Sequence, residues 1–335
     1  MKAPFVWFGG KRRVAPEVWA ALGDVPNYIE PFAGSLAVLL GRPHDMSNGT
    51  RRAETVNDAD GFLANFWRAL AHDPEAVAHW CDWPVNEVDL FARHLWLVNT
   101  GRSRLLEGME ADPDFYDAQV AGWWVWGVNA WIGSGWCSGD GPWVDTGDGI
   151  GKLPHLGDAG QGVNRQLPHL GNAGRAGYNN MEYRPNVLGY FEELAGRLRD
   201  VRVCCGDWSR VCTSGAMSYG SKVGVFLDPP YLGDVRTADL YAVDDHTISH
   251  AVRDWCLEHG DDPRLRIVLA GYRAEHDDLM PDTWRRHYYS ASAAYSTTES
   301  AARQDGNHAN RANEVLWFSP HCVTPDRQGE LWEAL

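Results

Sequence analysis

The stretch "VGVFLDPPY", from Val223 to Tyr231, limits the possible folds more than any other part of the chain. An apolar run ends there in an acid, two consecutive prolines and a tyrosine. Each proline forbids helix, removes a backbone donor and biases its predecessor toward extended geometry. The run is therefore expected to be a buried strand that stops at Asp228, with Asp228 and Tyr231 carried on a stiff turn. Open α/β sheets keep their ligands outside the carboxyl ends of such strands. For these four letters alone, a strand-ending turn with a solvated acid is the other reading.

Further runs of strand character alternate with helical stretches. "NYIEPFAGSLAVLLG" reads as a strand at Tyr28 and Ile29, a tight turn, and a helix over Leu36–Leu40. "AETVNDAD" is a strand ending in acids, and "DVRVCCGDW" and "LRIVLAGYR" are two more. "RRHYYSASA" and "NEVLWFSP" read as late strands that pair antiparallel at the sheet edge. This alternation predicts an α/β fold, with a mostly parallel twisted sheet and helices on both faces. Between residues 74 and 185 the rhythm stops. That region holds the tryptophan-rich "GWWVWGVNAWIGSGW", and "LPHLGDAG" (Leu153–Gly160) recurs in it as "LPHLGNAG" (Leu167–Gly174). A single repeat cannot make a solenoid, which needs several units. The expected organisation is one domain in two pieces, residues 1–73 and 186–335, interrupted by an insert at 74–185.

Composition narrows the function. With 44% hydrophobic and 22% charged residues, the chain of 335 residues has an ordinary globular balance and can build one large domain with an insert. "MKAPFVWFGGKRR" lacks the pattern of a leader peptide, and the longest apolar stretch is broken by glycines and Asn129. It falls short of the about 20 apolar residues that cross a bilayer. A cytoplasmic protein with no membrane contact is expected, in the host cell cytoplasm if the gene is carried by a phage. The seven cysteines include no C-x-x-C pair, which argues against a disulfide framework and a zinc site, and no metal is expected. A net charge of −15 speaks against a protein that simply coats nucleic acid, but not against a basic cleft on an acidic body.

Three motifs precede the proline turn. "EPFAGS" follows a strand and opens a helix, so Gly34 allows a tight turn and close approach of a ligand to the backbone. A plain strand–turn–helix is equally compatible. Asp58 lies 24 residues past Gly34 at the end of the next strand, where an acid accepts from ribose hydroxyls in Rossmann-like folds. Asp58 or Asp60 also suits the N-cap of the helix that follows. In "FVWFGGKRR", Trp7 offers a stacking face and Lys11 a cation, in what is otherwise a structured turn.

Together, "FVWFGGK", "YIEPFAGSLAVL", "VNDAD" and "DPPY" resemble, in that order, the motifs of the Dam-like adenine-specific DNA methyltransferases, of the type carried by bacteriophages. The likeness covers about residues 4–60 and 200–320. It implies a Rossmann-like S-adenosylmethionine methyltransferase fold acting on double-stranded DNA, with target recognition in the insert. It also implies cofactor binding by Trp7, Lys11, the loop Glu30, Pro31, Phe32 and Gly34, Asp58 and Asp228. Catalysis falls to Asp228, Pro229, Pro230 and Tyr231. The tryptophan cluster and the repeat match no recognition pattern of the family.

The implied chemistry explains the proline turn. The exocyclic amine of adenine is a poor nucleophile because its lone pair is delocalised into the ring. An acceptor pair made of the Asp228 carboxylate and the Pro229 carbonyl can hold both amino hydrogens and aim that lone pair at an incoming methyl group. Tyr231 then stacks on a base that has left the duplex. A methylase of the cytosine ring carbon needs a thiolate, and no Pro-Cys turn exists here. RNA adenine methylation, or a catalytically silent nucleic-acid-binding protein on the same fold, are the alternatives. An intact "DPPY" speaks against the silent one.

Overall fold

The computed structural model describes residues 1–5, 7, 10–43, 52–131, 136–137, 143–145, 150–152, 187–230, 245–289 and 314–324. Among them the strands run in chain order β1 (Asn27–Glu30), β2 (Ala53–Asp58), β3 (Trp143–Asp145), β4 (Ile150–Lys152), β5 (Val201–Cys205), β6 (Val223–Leu227), β7 (Leu265–Tyr272), β8 (Arg285–Tyr289) and β9 (Glu314–Phe318). Strands β3 and β4 form a separate antiparallel hairpin. The other seven make one sheet in the order β5-β2-β1-β6-β7-β9-β8. Ile29 of β1 lies between Thr55 and Val225, and Val225 lies beside Ile267, all in parallel pairings. Strand β9 is antiparallel to both neighbours, with Leu316 opposite Ala270 and His287. The sheet is mostly parallel with an antiparallel edge, as in Rossmann-like methyltransferases, and both late strands fall where the sequence puts them.

Strands β1 and β6 are buried along their whole length. A near-continuous apolar run such as "VGVFL" is what a parallel strand covered on both faces requires. From β1 the strand order grows one way to β2 and β5, then the other way through β6 and β7. The direction reverses between β1 and β6, and such a switch point opens a crevice at the carboxyl ends of the two strands. Asp228 follows β6 there, and Glu30 ends β1.

The helices are α1 (Ala15–Leu22), α2 (Ala37–Leu40), α3 (Gly61–His72), α4 (Pro74–Cys81), α5 (Glu87–Trp96), α6 (Arg102–Ala111), α7 (Ala118–Ala130), α8 (Val187–Leu198), α9 (Asp245–His259) and α10 (Arg273–His276). The expected helix after "EPFAGS" is short, because Leu36 takes a positive φ of 54° and α2 begins only after it. No helix among the described residues is long and apolar enough to cross a membrane.

Contacts divide the chain into two compact units. The first comprises Met1–Gly10, Gly34–Leu36 and Asn57–Asp207. From α4 to α7 the described part of this unit is helical, and three of those helix starts carry short polar caps. Asp73 accepts from Ala76, Asn86 from Asp89, and Asp117 from Val120. The first part of the tryptophan run lies in α7, with Trp124 and Trp126 almost fully buried. Trp124 meets Phe5 edge-on at 5.3 Å, and the Arg93 guanidinium sits 4.3 Å from the centre of the Trp126 ring. Helices α4 and α7 approach so closely that a Cβ on Gly122 would lie 2.4 Å from Trp80 Cβ.

The second unit comprises Lys11–Ala33, Ala37–Val56 and Trp208–Leu335, and includes β1, β6, β7 and β9. Arg42, beneath the ring of Trp19, pairs with Glu54 at 2.8 Å and Asp24 at 3.3 Å. None of the seven cysteines is joined in a disulfide, and five of them are buried. The repeat Leu153–Gly174 and Tyr231 lie outside the described residues.

Candidate active site

In the second unit the acids at the switch point have different environments. Glu30 is 2% exposed; its Oε2 accepts from the Tyr28 hydroxyl at 2.9 Å and from the Leu39 amide at 3.3 Å. Burial outweighs those two bonds and pushes its carboxyl up to about 8, with the nearby Asp228 and Glu54 adding to the rise. Glu30 is therefore mostly neutral near pH 7. Asp228 is 20% exposed at its side chain and pairs with the buried Lys11 ammonium at 3.0 Å. Pro229 is buried and Pro230 half-buried, so the turn holds the carboxylate on the extended path that the two rings dictate. Lys11 is delivered by a 3₁₀ turn, Lys11–Arg13, just ahead of α1. Glu314, the first residue of β9, lies 4.0 Å from the same ammonium. In the loop after β1, Pro31 is buried, and the half-buried Phe32 faces Trp208 with ring centres 6.3 Å apart and planes 26° from parallel.

In the first unit the site rests on a glycine. Gly34 has φ +46°, a left-handed conformation that costs any residue with a Cβ roughly 1–2 kcal/mol. A Cβ there would also lie 2.9 Å from Trp7 Nε1. The Gly34 amide donates to Asp58 Oδ2 at 2.9 Å, and its carbonyl accepts from the Trp67 indole at 3.0 Å. The Asp60 amide donates to Asp58 Oδ1, also at 2.9 Å. Asp60, not Asp58, caps α3, accepting from Phe62 and Leu63. The Asp58 carboxylate instead fastens the glycine turn to the end of β2. Burial raises its carboxyl to about 6, and the backbone donors restrain that rise. Trp7 is half-buried, its ring 5.8 Å from Phe5 and 6.2 Å from Trp124.

The sequence-predicted residues thus gather into two sets, Trp7, Gly34 and Asp58 in one unit and Lys11, Glu30 and Asp228 in the other. Two neighbours escaped the sequence reading. Glu314 carries a signal only in its place at the head of "EVLWF", and Trp208 only as the aromatic that follows "CCGD". Among the described residues no group of His, Cys, Asp or Glu is arranged to hold a metal ion. Within the second unit, the two carboxylates of Asp228 and Glu314 against the one Lys11 ammonium leave a net negative charge.

Residues 7–86 match the family model of the D12 class N6 adenine-specific DNA methyltransferases. The match takes in Trp7, Lys11, the Glu30–Gly34 loop and Asp58, and the proline turn lies beyond it. Among curated proteins none matches the chain. With its motifs on a Rossmann-like sheet, the chain is similar over residues 7–86 to the D12 class of adenine-specific DNA methyltransferases, enzymes that move a methyl group from S-adenosylmethionine to adenine N6 in DNA.

Proposed function

We propose that the protein methylates adenine at chosen sites in double-stranded DNA, working on a base flipped out of the duplex. Asp228 carries the reading. It stands just past the strand that borders the switch point, ion-paired on one side and part-exposed on the other. In this reading Trp7, Lys11, Glu30, Pro31, Phe32, Gly34, Asp58 and Asp228 hold S-adenosylmethionine, and Asp58 takes the ribose hydroxyls. When bound, the cofactor supplies an activated methyl group on a sulfonium. The Asp228 carboxylate and the Pro229 carbonyl accept the two amino hydrogens of adenine and pyramidalise its nitrogen. Pro230 stiffens the turn, and Tyr231 stacks on the flipped base, a contact worth ~1–3 kcal/mol. Residues 1–73 and 186–335 do the chemistry, and 74–185 choose the sequence. We place the enzyme in the cytoplasm, as the modification half of a restriction–modification pair or as a phage's own methylase.

The test is tritiated methyl transfer to adenine-containing duplex, with circular dichroism to confirm folding. Asp228→Ala should keep the fold and lose about 10²–10³ in rate, the usual worth of one contact that strengthens as charge develops. Tyr231→Phe should retain much of the activity, and Tyr231→Ala little. Transfer by Asp228→Ala at near the parent rate would make this turn a strand end and nothing more. Long-read sequencing of plasmid from an expressing host then reads the modified adenines and their context.

A further inference from the structure

The second carboxylate at Lys11 is placed by topology. Strand β9 is antiparallel to β7, so its first residue, Glu314, pairs with Tyr272, the last residue of β7. An antiparallel strand thereby brings an acid to the carboxyl ends of the parallel strands, where β6 delivers Asp228. Lys11 and Glu314 are each 5% exposed, whereas the Asp228 side chain keeps 20% of its surface open. The ammonium and Glu314 form a closed base, and Asp228 is the open rim. Lys11 takes up part of the acceptor capacity of Asp228, at Oδ1. A buried ammonium left with too little negative charge is costly. Glu30 on the adjacent strand contributes little charge, since burial holds it neutral up to about pH 8.

We propose that Glu314 is a positioning residue for methyl transfer: it shares the buried Lys11 ammonium with Asp228, so that the Asp228 carboxylate stays available to the substrate amine. The idea rests on the reading that Asp228 receives that amine. As the amino hydrogens engage Asp228, the Lys11 ammonium leans toward Glu314, whose Oε2 is already 4.0 Å away. Loss of the Glu314 charge would leave Lys11 to compete with the amine for Asp228. The effect would fall on turnover and not on cofactor capture.

The experiment compares Glu314→Gln, Glu314→Asp and Asp228→Ala in the full chain. Glu314→Gln should lower kcat by about 10–100-fold while KM for S-adenosylmethionine moves less than about threefold. Glu314→Asp keeps the charge one methylene further back and should recover part of the loss. Two further readouts do not depend on turnover. Calorimetric affinity for S-adenosylmethionine should stay near the parent value in Glu314→Gln. A double-mutant cycle with Lys11→Met, read by chemical denaturation, should show coupling between positions 11 and 314. Parent-like kcat in Glu314→Gln, a fall in cofactor affinity that matches the fall in kcat, or the absence of coupling would each overturn the proposal. An active Asp228→Ala would instead overturn the reading beneath it. An inactive Asp228→Ala beside a parent-like Glu314→Gln would remove the Glu314 role alone.

Discussion

At the scale of the residue, three strand-end acids differ because their surroundings differ. Glu30 is sealed and neutral near pH 7, Asp228 is held by an ammonium, and Asp58 is tied by two backbone amides. Asp58 accepts a ligand's hydrogen bonds most strongly while it is ionised. Its carboxyl, raised by burial to about 6, is mostly ionised above that pH and protonated below it. Cofactor affinity should therefore be steady above about pH 6 and fall as pH drops through it. Asp58→Asn should flatten that part of the profile. In the proposed cofactor site, Asp58→Ala leaves the ribose donors unpaired and should cost ~1–3 kcal/mol of binding at neutral pH. Isothermal calorimetry at several pH values measures both effects. Unchanged affinity in Asp58→Ala would remove this residue from the cofactor site.

At the scale of the element, α7 shows how the tryptophan-rich segment acquires a shape. The run has no simple amphipathic stripe, and the helix is buried on most sides, with small residues where its neighbours come closest. Gly122 faces α4, and Gly127 lies where a Cβ would strike the Trp136 ring. Gly122→Ala gains helix propensity but has no room for its methyl group, with the Val77 carbonyl 2.9 Å and Trp80 Cβ 2.4 Å away. Overpacking should win and lower stability by ~1–3 kcal/mol. Chemical denaturation measures the change, and a variant as stable as the parent would mean that α4 and α7 separate more easily than this packing implies. The cap at Asp117 and the Asp73–Pro74 start were present in the sequence as helix signals. They stand out only once the segment is no longer compared with the α/β rhythm around it.

At the scale of the whole molecule, an acidic chain has to find an acidic polymer. A net charge of −15 gives no general attraction to phosphate, so DNA contact must be local. The insert is where the sequence departs from an ordinary α/β pattern, and the proposal gives it the choice of site. Replacing Leu153–Gly174 with a neutral linker of equal length should weaken DNA binding or alter the methylated context and leave cofactor affinity as it was. Sequencing of methylated plasmid, together with calorimetry, checks both halves. Full methylation of the original sites after the replacement would place recognition elsewhere in the chain.

The sequence by itself determined the seven strands of the main sheet, their carboxyl-end acids and the proline turn. These depend on local rules: apolar runs must be covered, and two prolines can neither continue a helix nor donate to a ladder. Gly34 was readable for the same reason, since its left-handed φ is a property of one residue. Only the tertiary structure decided which acid does what. Asp58 and Asp60 are two letters apart and look alike, yet one ties a glycine turn and the other caps α3. Glu314 meets Lys11 because β9 turns antiparallel at the sheet edge, a pairing of residues 303 positions apart that no local pattern encodes. The neutral state of Glu30 likewise follows from the desolvation that surrounding strands and helices impose, and that exists only once they have packed.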